Sequence, residues 1–120
     1  VSSGLLLGFC EAVADKLAGE GVGCDVIDLR TTSPLDEETI LDSIEVTGRL
    51  VVVDEAPPRC GLATDVSALV AEKAFASLKA PPAMVTPPHT PIPFARELES
   101  NYLPSADKIE AAVRKTLAWK

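Results

Sequence analysis

The sequence has few aromatic residues and little positive charge. Aromatic residues make up only 4% of its 120 residues, so a core of this size must be built from aliphatic side chains. Lys and Arg number 11 against 18 Asp and Glu, and the resulting net charge of −7 argues against nucleic acid and anionic membranes as partners. Such a balance is typical of a solvated acidic surface, and a basic protein partner is the alternative.

Long apolar runs and paired cysteines are also missing. The opening run Leu5–Leu7 ends at Gly8, far short of the roughly 20 apolar residues that a membrane span needs, and no signal-peptide pattern is present. Cys10, Cys24 and Cys60 are odd in number and widely spaced, which fits neither a disulfide framework nor a zinc site and favours a reducing cytoplasm. No cluster of His, Cys and carboxylates has the spacing of metal ligands.

The segment Asp25–Ile40 contains the clearest local signals. Val26, Ile27 and Leu29 form a short apolar run rich in β-branched residues, which predicts a buried strand over Asp25–Leu29. Pro34 disfavours helix in the residue before it. Asp36 can cap a following helix, and two glutamates come next, where the helix dipole favours negative charge. The segment therefore predicts a strand, a stiff turn and a capped helix that ends near Gly48.

Strands and helices alternate along the remainder of the chain. The run Leu50–Val53 has no polar alternation, which is typical of a parallel strand covered by helices on both faces. We predict one α/β domain over residues 1–120, with a mostly parallel sheet between two layers of helices. The predicted strands are Asp25–Leu29, Leu50–Val53 and Ala83–Thr86. The predicted helices are Leu5–Glu20, Asp36–Val46, Leu62–Leu78 and one that begins after Ser105. A single further helical turn is predicted at Glu97–Tyr102.

Two positions suggest chemistry without completing a site. Asp54 follows a strand, as a phosphoacceptor aspartate does in receiver domains, but the acidic pair and the lysine of that site have no counterparts here. A carboxylate in this position is otherwise a cap for the next turn. The helix start at Arg59–Leu62 offers backbone N–H groups to an anion, or is an ordinary loop.

Two single residues have similar alternatives. His89, the one histidine, lies in a rigid loop of prolines and has no acid–base partner nearby in sequence, which favours a structural or interface role. Trp119, the one tryptophan, either packs back on the domain or contacts a partner.

Several blocks of the sequence resemble a known family. These blocks are DLRTTSPLDEETI from Asp25, RLVVVDEAP from Arg49, GLATDVS from Gly61, MVTPPHTPIPF from Met84 and LESNYLPSADKIEAAVRK from Leu98. They are similar to the C-terminal domain of transketolase-like enzymes, and most similar to the β subunit of the thiamine-diphosphate-dependent first component of 2-oxo acid and acetoin dehydrogenase complexes. The resemblance covers nearly the whole chain and implies a three-layer α/β/α fold.

The resemblance implies a role in assembly, with no catalytic, cofactor-binding or metal-binding residue in this chain. Thiamine diphosphate belongs to the parent enzyme and is held by another domain. The implied partners are the α and β subunits and the acyltransferase component, whose small basic binding domain docks on such C-terminal domains. The candidate partner interface is Lys79, Trp119 and Lys120, and the candidate loop residues at a subunit interface are Glu55, Arg59, Gly61 and His89. Lys79 replaces a residue that is often acidic in relatives, which weakens one charge contact with that partner.

The front of the sequence differs from the family pattern. In the family a central parallel strand precedes the first helix, and here only Val1–Ser3 stand in that position. We therefore expect an N-terminally truncated domain whose central strand is mostly missing. Backbone groups of the two neighbouring strands would then lack partners, which predicts a homodimer or strand-swapped oligomer in isolation. The chain alone is expected to be inactive, either as a module of a larger enzyme or as a free-standing repurposed domain.

Overall fold

The computed structural model describes residues 1–120 and has alternating helices and strands. In chain order the elements are α1 Leu6–Ala18, α2 Glu37–Thr47, β1 Val51–Val53, α3 Leu62–Lys73, a 3-10 turn Phe75–Ser77, β2 Ala83–Val85, α4 Arg96–Tyr102 and α5 Ala106–Leu117. No helix is long and apolar enough to cross a bilayer.

The strands β1 and β2 pair in parallel, with Val51 opposite Ala83 and Val53 opposite Val85. The ladder continues one step past the strands, because the N–H of Asp54 donates to the carbonyl of Val85 at 3.1 Å. The carboxyl ends of both strands therefore lie at the same edge of the sheet, and the loops that follow them emerge together.

Helices cover the sheet on both faces. Side chains alternate along a strand, so Leu50 and Val52 enter one hydrophobic cluster while Val53 enters the other. The first cluster contains residues of α2 and α3, among them Ile40, Ile44, Val66 and Val70, and the second contains residues of α1 and α5, among them Leu6, Val13, Leu17 and Ile109. This arrangement confirms the predicted α/β class and its three layers.

The prediction of a regular strand over Asp25–Leu29 is wrong. This segment forms one isolated parallel bridge, between Ser2 and Asp28, through hydrogen bonds of 3.0 Å from the Ser2 N–H to Ile27 and from the Leu29 N–H to Ser2. Two pairing residues are too few to define a ladder. The Val1–Ser2 stretch also pairs with β1 on its other side, because the N–H of Val53 donates to the carbonyl of Val1 at 2.9 Å.

The predicted helix boundaries at α2 are confirmed. The Asp36 side chain accepts from the Thr39 N–H at 3.1 Å, and its hydrogen bonds from Thr39 lower the pKa of the Asp36 carboxyl. Gly48 ends α2 in the left-handed region, with φ 69°. By contrast, α3 ends at Lys73, before the predicted Leu78, and the single turn predicted at Glu97–Tyr102 is a full helix.

Ion pairs join the two helices on the α1 face of the sheet. Glu110 of α5 accepts from Lys16 and from Arg114, both at 2.7 Å, and Arg114 also contacts Glu20 at 2.8 Å. The hydrogen bonds from Lys16 and Arg114 lower the pKa of Glu110. These groups bridge α5 to α1 at the solvent boundary, where they fix orientation more than they add stability.

Replacement of Gly48 by alanine should destabilise the fold more than the same change at Gly21. Both glycines have positive φ, which costs another residue roughly 1–2 kcal/mol. A Cβ at Gly48 would also lie 2.9 Å from the Ser77 carbonyl oxygen, whereas nothing lies within 4 Å of one at Gly21. We expect Gly48→Ala to lower the free energy of unfolding by about 2–4 kcal/mol in urea titrations, and Gly21→Ala by about 1–2 kcal/mol. Equal losses would show that the contact with Ser77 is unimportant.

Candidate functional site

The predicted interface residues fall on two separate surfaces. Glu55, Arg59, Gly61 and His89 lie in the loops that follow β1 and β2, at the edge where both strands end, and we call these four residues the carboxyl-edge surface. Lys79, Trp119 and Lys120 lie near the other end of the strands, where the chain enters β2 and α5 ends. The structure therefore places the predicted interface residues in two groups, one at each end of the strands.

Asp54 holds the first loop of the carboxyl-edge surface in place. One carboxylate oxygen accepts from the Ala56 N–H at 3.1 Å, and the other accepts from the Ala63 N–H in the first turn of α3 at 3.3 Å. Asp54 is therefore an anchor of the loop and a cap of α3, which accounts for it without a phosphoacceptor role. Of the two alternatives for this helix start, the ordinary loop fits better, because the Ala63 N–H is already bonded to the protein's own Asp54 carboxylate.

Gly61 lies where this loop closes on itself. A Cβ there would be 3.1 Å from the Pro57 carbonyl oxygen, which is tighter than most real contacts. The backbone of Gly61 also exchanges hydrogen bonds with the Thr64 hydroxyl, which donates to the Gly61 carbonyl at 2.6 Å. The role of Gly61 is thus structural, and it leaves Glu55 and Arg59 exposed on the loop.

The second loop of the carboxyl-edge surface presents apolar groups to solvent. His89 is exposed and makes no side-chain hydrogen bond, and Tyr102 anchors the loop by donating its hydroxyl to the Thr90 carbonyl at 3.3 Å. Beyond His89, Ile92 is 73% exposed and Phe94 is fully exposed. Sequence reasoning missed these two residues, although prolines on both sides of Ile92 already made a buried strand impossible there.

A surface groove surrounds Trp119 at the other end of the strands. Its walls come from β2, from the segment that precedes β2, and from α5. Its volume is about 720 Å³, including the part open to solvent. The lining residues are Ala80, Pro81, Pro82, Ala83, Met84, Ala112, Lys115, Thr116 and Trp119. We call it the Trp119 groove. Trp119 is 52% exposed and Met84 41% exposed, so the groove offers apolar surface to a partner. The sequence pattern indicated Trp119 but not Met84, which follows the half-buried Ala83 on a short strand.

Lys79 is held beside this groove by its own backbone and stem. Its N–H donates to the Gly48 carbonyl at 2.8 Å, and its aliphatic carbons pack where a side chain at Gly48 would stand. The cationic side chains of Lys115 in the groove wall and Lys120 at the chain end are exposed. The groove therefore combines an apolar floor with a positively charged rim.

The three cysteines differ in exposure and environment. Burial raises the pKa values of the Cys10 and Cys24 thiols, and Cys60 is exposed in a left-handed backbone conformation with φ 53°. No three His, Cys, Asp or Glu side chains come together as metal ligands. Both surfaces expose apolar and charged side chains to solvent.

The chain matches the family model described as transketolase, C-terminal domain, over residues 1–109. It belongs to the transketolase C-terminal domain family. The β subunit of the acetoin:2,6-dichlorophenolindophenol oxidoreductase of Cupriavidus necator is 56% identical to it over 117 residues, which are 98% of this chain and 35% of that protein. The corresponding β subunit of Bacillus subtilis is 52% identical over 96 residues, 80% of this chain and 28% of that protein.

More distant relatives agree with this assignment. The pyruvate dehydrogenase E1 component subunit beta of Bacillus subtilis is 43% identical over 106 residues, 88% of this chain and 32% of that protein. A solved chain described as a split gene transketolase, inactive beta4 tetramer, superposes with a TM-score of 0.83 at 26% identity, over 99% of this chain and 37% of that one. This transketolase C-terminal domain thus spans about a third of the curated relatives that it matches.

Removal of the Asp54 carboxylate should loosen the first carboxyl-edge loop. We expect Asp54→Ala to lower the free energy of unfolding by about 1–3 kcal/mol, because the N–H groups of Ala56 and Ala63 lose the carboxylate that accepts their hydrogen bonds. Asp54→Asn keeps one acceptor oxygen and should cost less than half as much. Urea unfolding measures the loss, and proteolysis within Glu55–Cys60 reports the loop. An Asp54→Ala protein as stable and as protease-resistant as the parent would contradict the anchoring role.

Proposed function

We propose that this domain is a non-catalytic assembly module of a cytoplasmic acetoin or 2-oxo acid dehydrogenase β subunit. In this proposal the carboxyl-edge surface joins α and β subunits, including a second copy of the domain, and the Trp119 groove docks the acyltransferase component. The observation that carries it is the position of the exposed apolar side chains. Ile92 and Phe94 are exposed on the segment between β2 and α4, and Met84 and Trp119 are exposed in the Trp119 groove. Identity of 56% to an acetoin oxidoreductase β subunit supports the class of parent enzyme.

The proposed docking relies on apolar contact more than on charge. Lys115 lines the Trp119 groove, and Lys79 and Lys120 are next in sequence to its lining residues Ala80 and Trp119, so a basic binding domain would meet positive charge there. Like charges at a rim slow association without removing the affinity that a buried aromatic anchor supplies. Trp119 and Met84 are the anchors available in this groove.

Thiamine diphosphate is proposed only for the parent enzyme. A diphosphate held through a divalent cation needs converging oxygen ligands, and no such cluster of carboxylates exists among these residues. The residues present do not fit the cofactor, so no chemical step is assigned to this chain.

Loss of the Trp119 ring should weaken docking of the acyltransferase binding domain. We expect Trp119→Ala to raise the dissociation constant about 10–100-fold, as for other central tryptophan anchors. Phe75→Ala is the matched control, because Phe75 is a 74% exposed aromatic outside the groove and should leave binding unchanged. Calorimetric titration of the 120-residue chain with the binding domain of an acetoin dehydrogenase acyltransferase measures both. Equal affinities of all three proteins would exclude docking in this groove.

Reversal of the charge at Lys79 should act mainly on the association rate. We expect Lys79→Glu to speed association with a basic binding domain several-fold at low salt, with the gain lost near 0.5 M salt. Arg96→Glu, at the start of α4 and outside the groove lining, is the control for a general change in net charge, because the exposed Arg96 side chain makes no ion pair. Stopped-flow mixing measures the rates, and the same gain from both variants would mean that Lys79 does not face the partner.

A further inference from the structure

The Trp119 groove is formed by two parts of the chain that lack acidic side chains. All 18 Asp and Glu residues lie outside the ranges 73–96 and 111–120, whose charged side chains are Lys and Arg. The first range supplies every lining residue of the β2 wall, and the second supplies every lining residue of the α5 wall. A protein with a net charge of −7 thus has a groove that is lined by Lys115 and by no carboxylate side chain.

The lysines at this groove have no partner within the chain, unlike the lysines elsewhere. Lys16 and Lys73 form ion pairs with glutamates, and the Lys108 ammonium donates to two backbone carbonyls at 2.9 and 3.0 Å. Lys79 and Lys115 are exposed, and neither ammonium group makes a hydrogen bond or an ion pair. Their charges are therefore available to the carboxylates of another molecule.

The groove also has room for an apolar side chain between its two walls. The small side chains of Ala83 and Ala112 leave space between β2 and α5, and the Trp119 ring borders that space. Pro81 and Pro82 have no N–H, so the wall before β2 offers few backbone donors to a ligand. A ligand must therefore gain its affinity from apolar contact inside the groove and from opposite charge at its rim.

The charge on the rest of the molecule limits the size of an anionic ligand. A nucleic acid or an anionic bilayer would extend past the groove and meet the acidic side chains that give the chain its negative charge. A short acidic segment ends within the positive region and avoids that repulsion. The ligand that fits both the walls and the rim is therefore a polypeptide segment with a few carboxylates around one apolar residue.

We propose that the Trp119 groove binds a short acidic polypeptide segment that has one aromatic or large aliphatic anchor residue. The anchor packs against Trp119 between β2 and α5, and carboxylates beside it pair with Lys79 at one wall and Lys115 in the other. This inference rests on the proposed docking role of the groove and specifies the charge of the segment that enters it. A basic binding domain that docks here does so against the charge of the rim, and the acidic segment competes with it.

The test is a titration of the 120-residue chain with a short synthetic peptide in which glutamates flank one phenylalanine. Because Trp119 is the only tryptophan, its fluorescence reports binding at the groove itself. One control peptide has lysine in place of each glutamate, and a second has serine in place of the phenylalanine. We expect the acidic peptide to bind at least about tenfold more tightly than either control at low salt, and its advantage over the basic peptide to disappear near about 0.5 M salt.

A pair of charge reversals separates contact at the groove from the overall charge of the chain. Lys115→Glu should weaken binding of the acidic peptide about 3–10-fold and strengthen binding of the basic peptide. Arg96→Glu makes the same change in net charge at an exposed residue outside the lining and should alter neither affinity. Lys79→Met keeps the aliphatic stem that packs at Gly48 and removes only the charge, so it should weaken the acidic peptide without loss of stability. Calorimetric titration measures all three variants.

Equal affinities of the acidic and basic peptides, or equal losses from Lys115→Glu and Arg96→Glu, would overturn the inference. Equally tight binding of a single-stranded oligonucleotide or of anionic vesicles would also overturn it, because the groove would then attract any polyanion. A parallel titration with the acyltransferase binding domain separates this inference from the proposed function. If that domain binds and the acidic peptide does not, only the inference fails. If the acidic peptide binds and the domain neither binds nor displaces it, the inference stands and the docking of that domain fails.

Discussion

The alternation of four aliphatic residues, Leu50–Val53, is the constraint on which the remainder of the structure depends. Their side chains point in turn to the α2–α3 layer and to the α1–α5 layer, so one short strand supplies both hydrophobic clusters. A polar residue at any of these positions would place an unpaired group between two helical layers. Because β1 also pairs with β2 and with Val1, its position sets the position of every neighbouring segment.

The same constraint explains why function can reside at the two ends of the strands. Helices cover both faces of the sheet, so the loops at the strand ends are the parts next to the strands that remain exposed. Asp54 stabilises one of these loops from inside, through hydrogen bonds from two backbone N–H groups. At the other end, Gly48 lets Lys79 pass close to the end of α2. Rigid backbone beneath exposed apolar side chains is what a docking surface requires.

The sequence predicted most of the architecture because its signals were local. The cap at Asp36, the stop at Gly48 and the apolar run at Leu50 each depend on neighbouring residues, and each is confirmed. The segment Asp25–Leu29 was predicted as a strand from the same kind of signal, but a strand is defined by its neighbour, and only Ser2 pairs with it. The 47% exposure of Phe9 in α1 likewise does not follow from the sequence, since helical periodicity does not reveal how far the facing layer extends.

The candidate surfaces were less predictable than the fold, and the family resemblance supplied what residue patterns did not. Nothing near Lys79 in sequence indicates that Trp119 and Met84 share a groove, because α5 and β2 meet only in the folded chain. The structure also shows that Lys79 has a packing role in addition to its charge. Its stem packs on Gly48, so substitution there affects packing as well as charge. At physiological salt, charges interact over about 8 Å, so in the proposed docking the rim lysines would act on the encounter and the apolar contact at Trp119 would act on the dissociation rate.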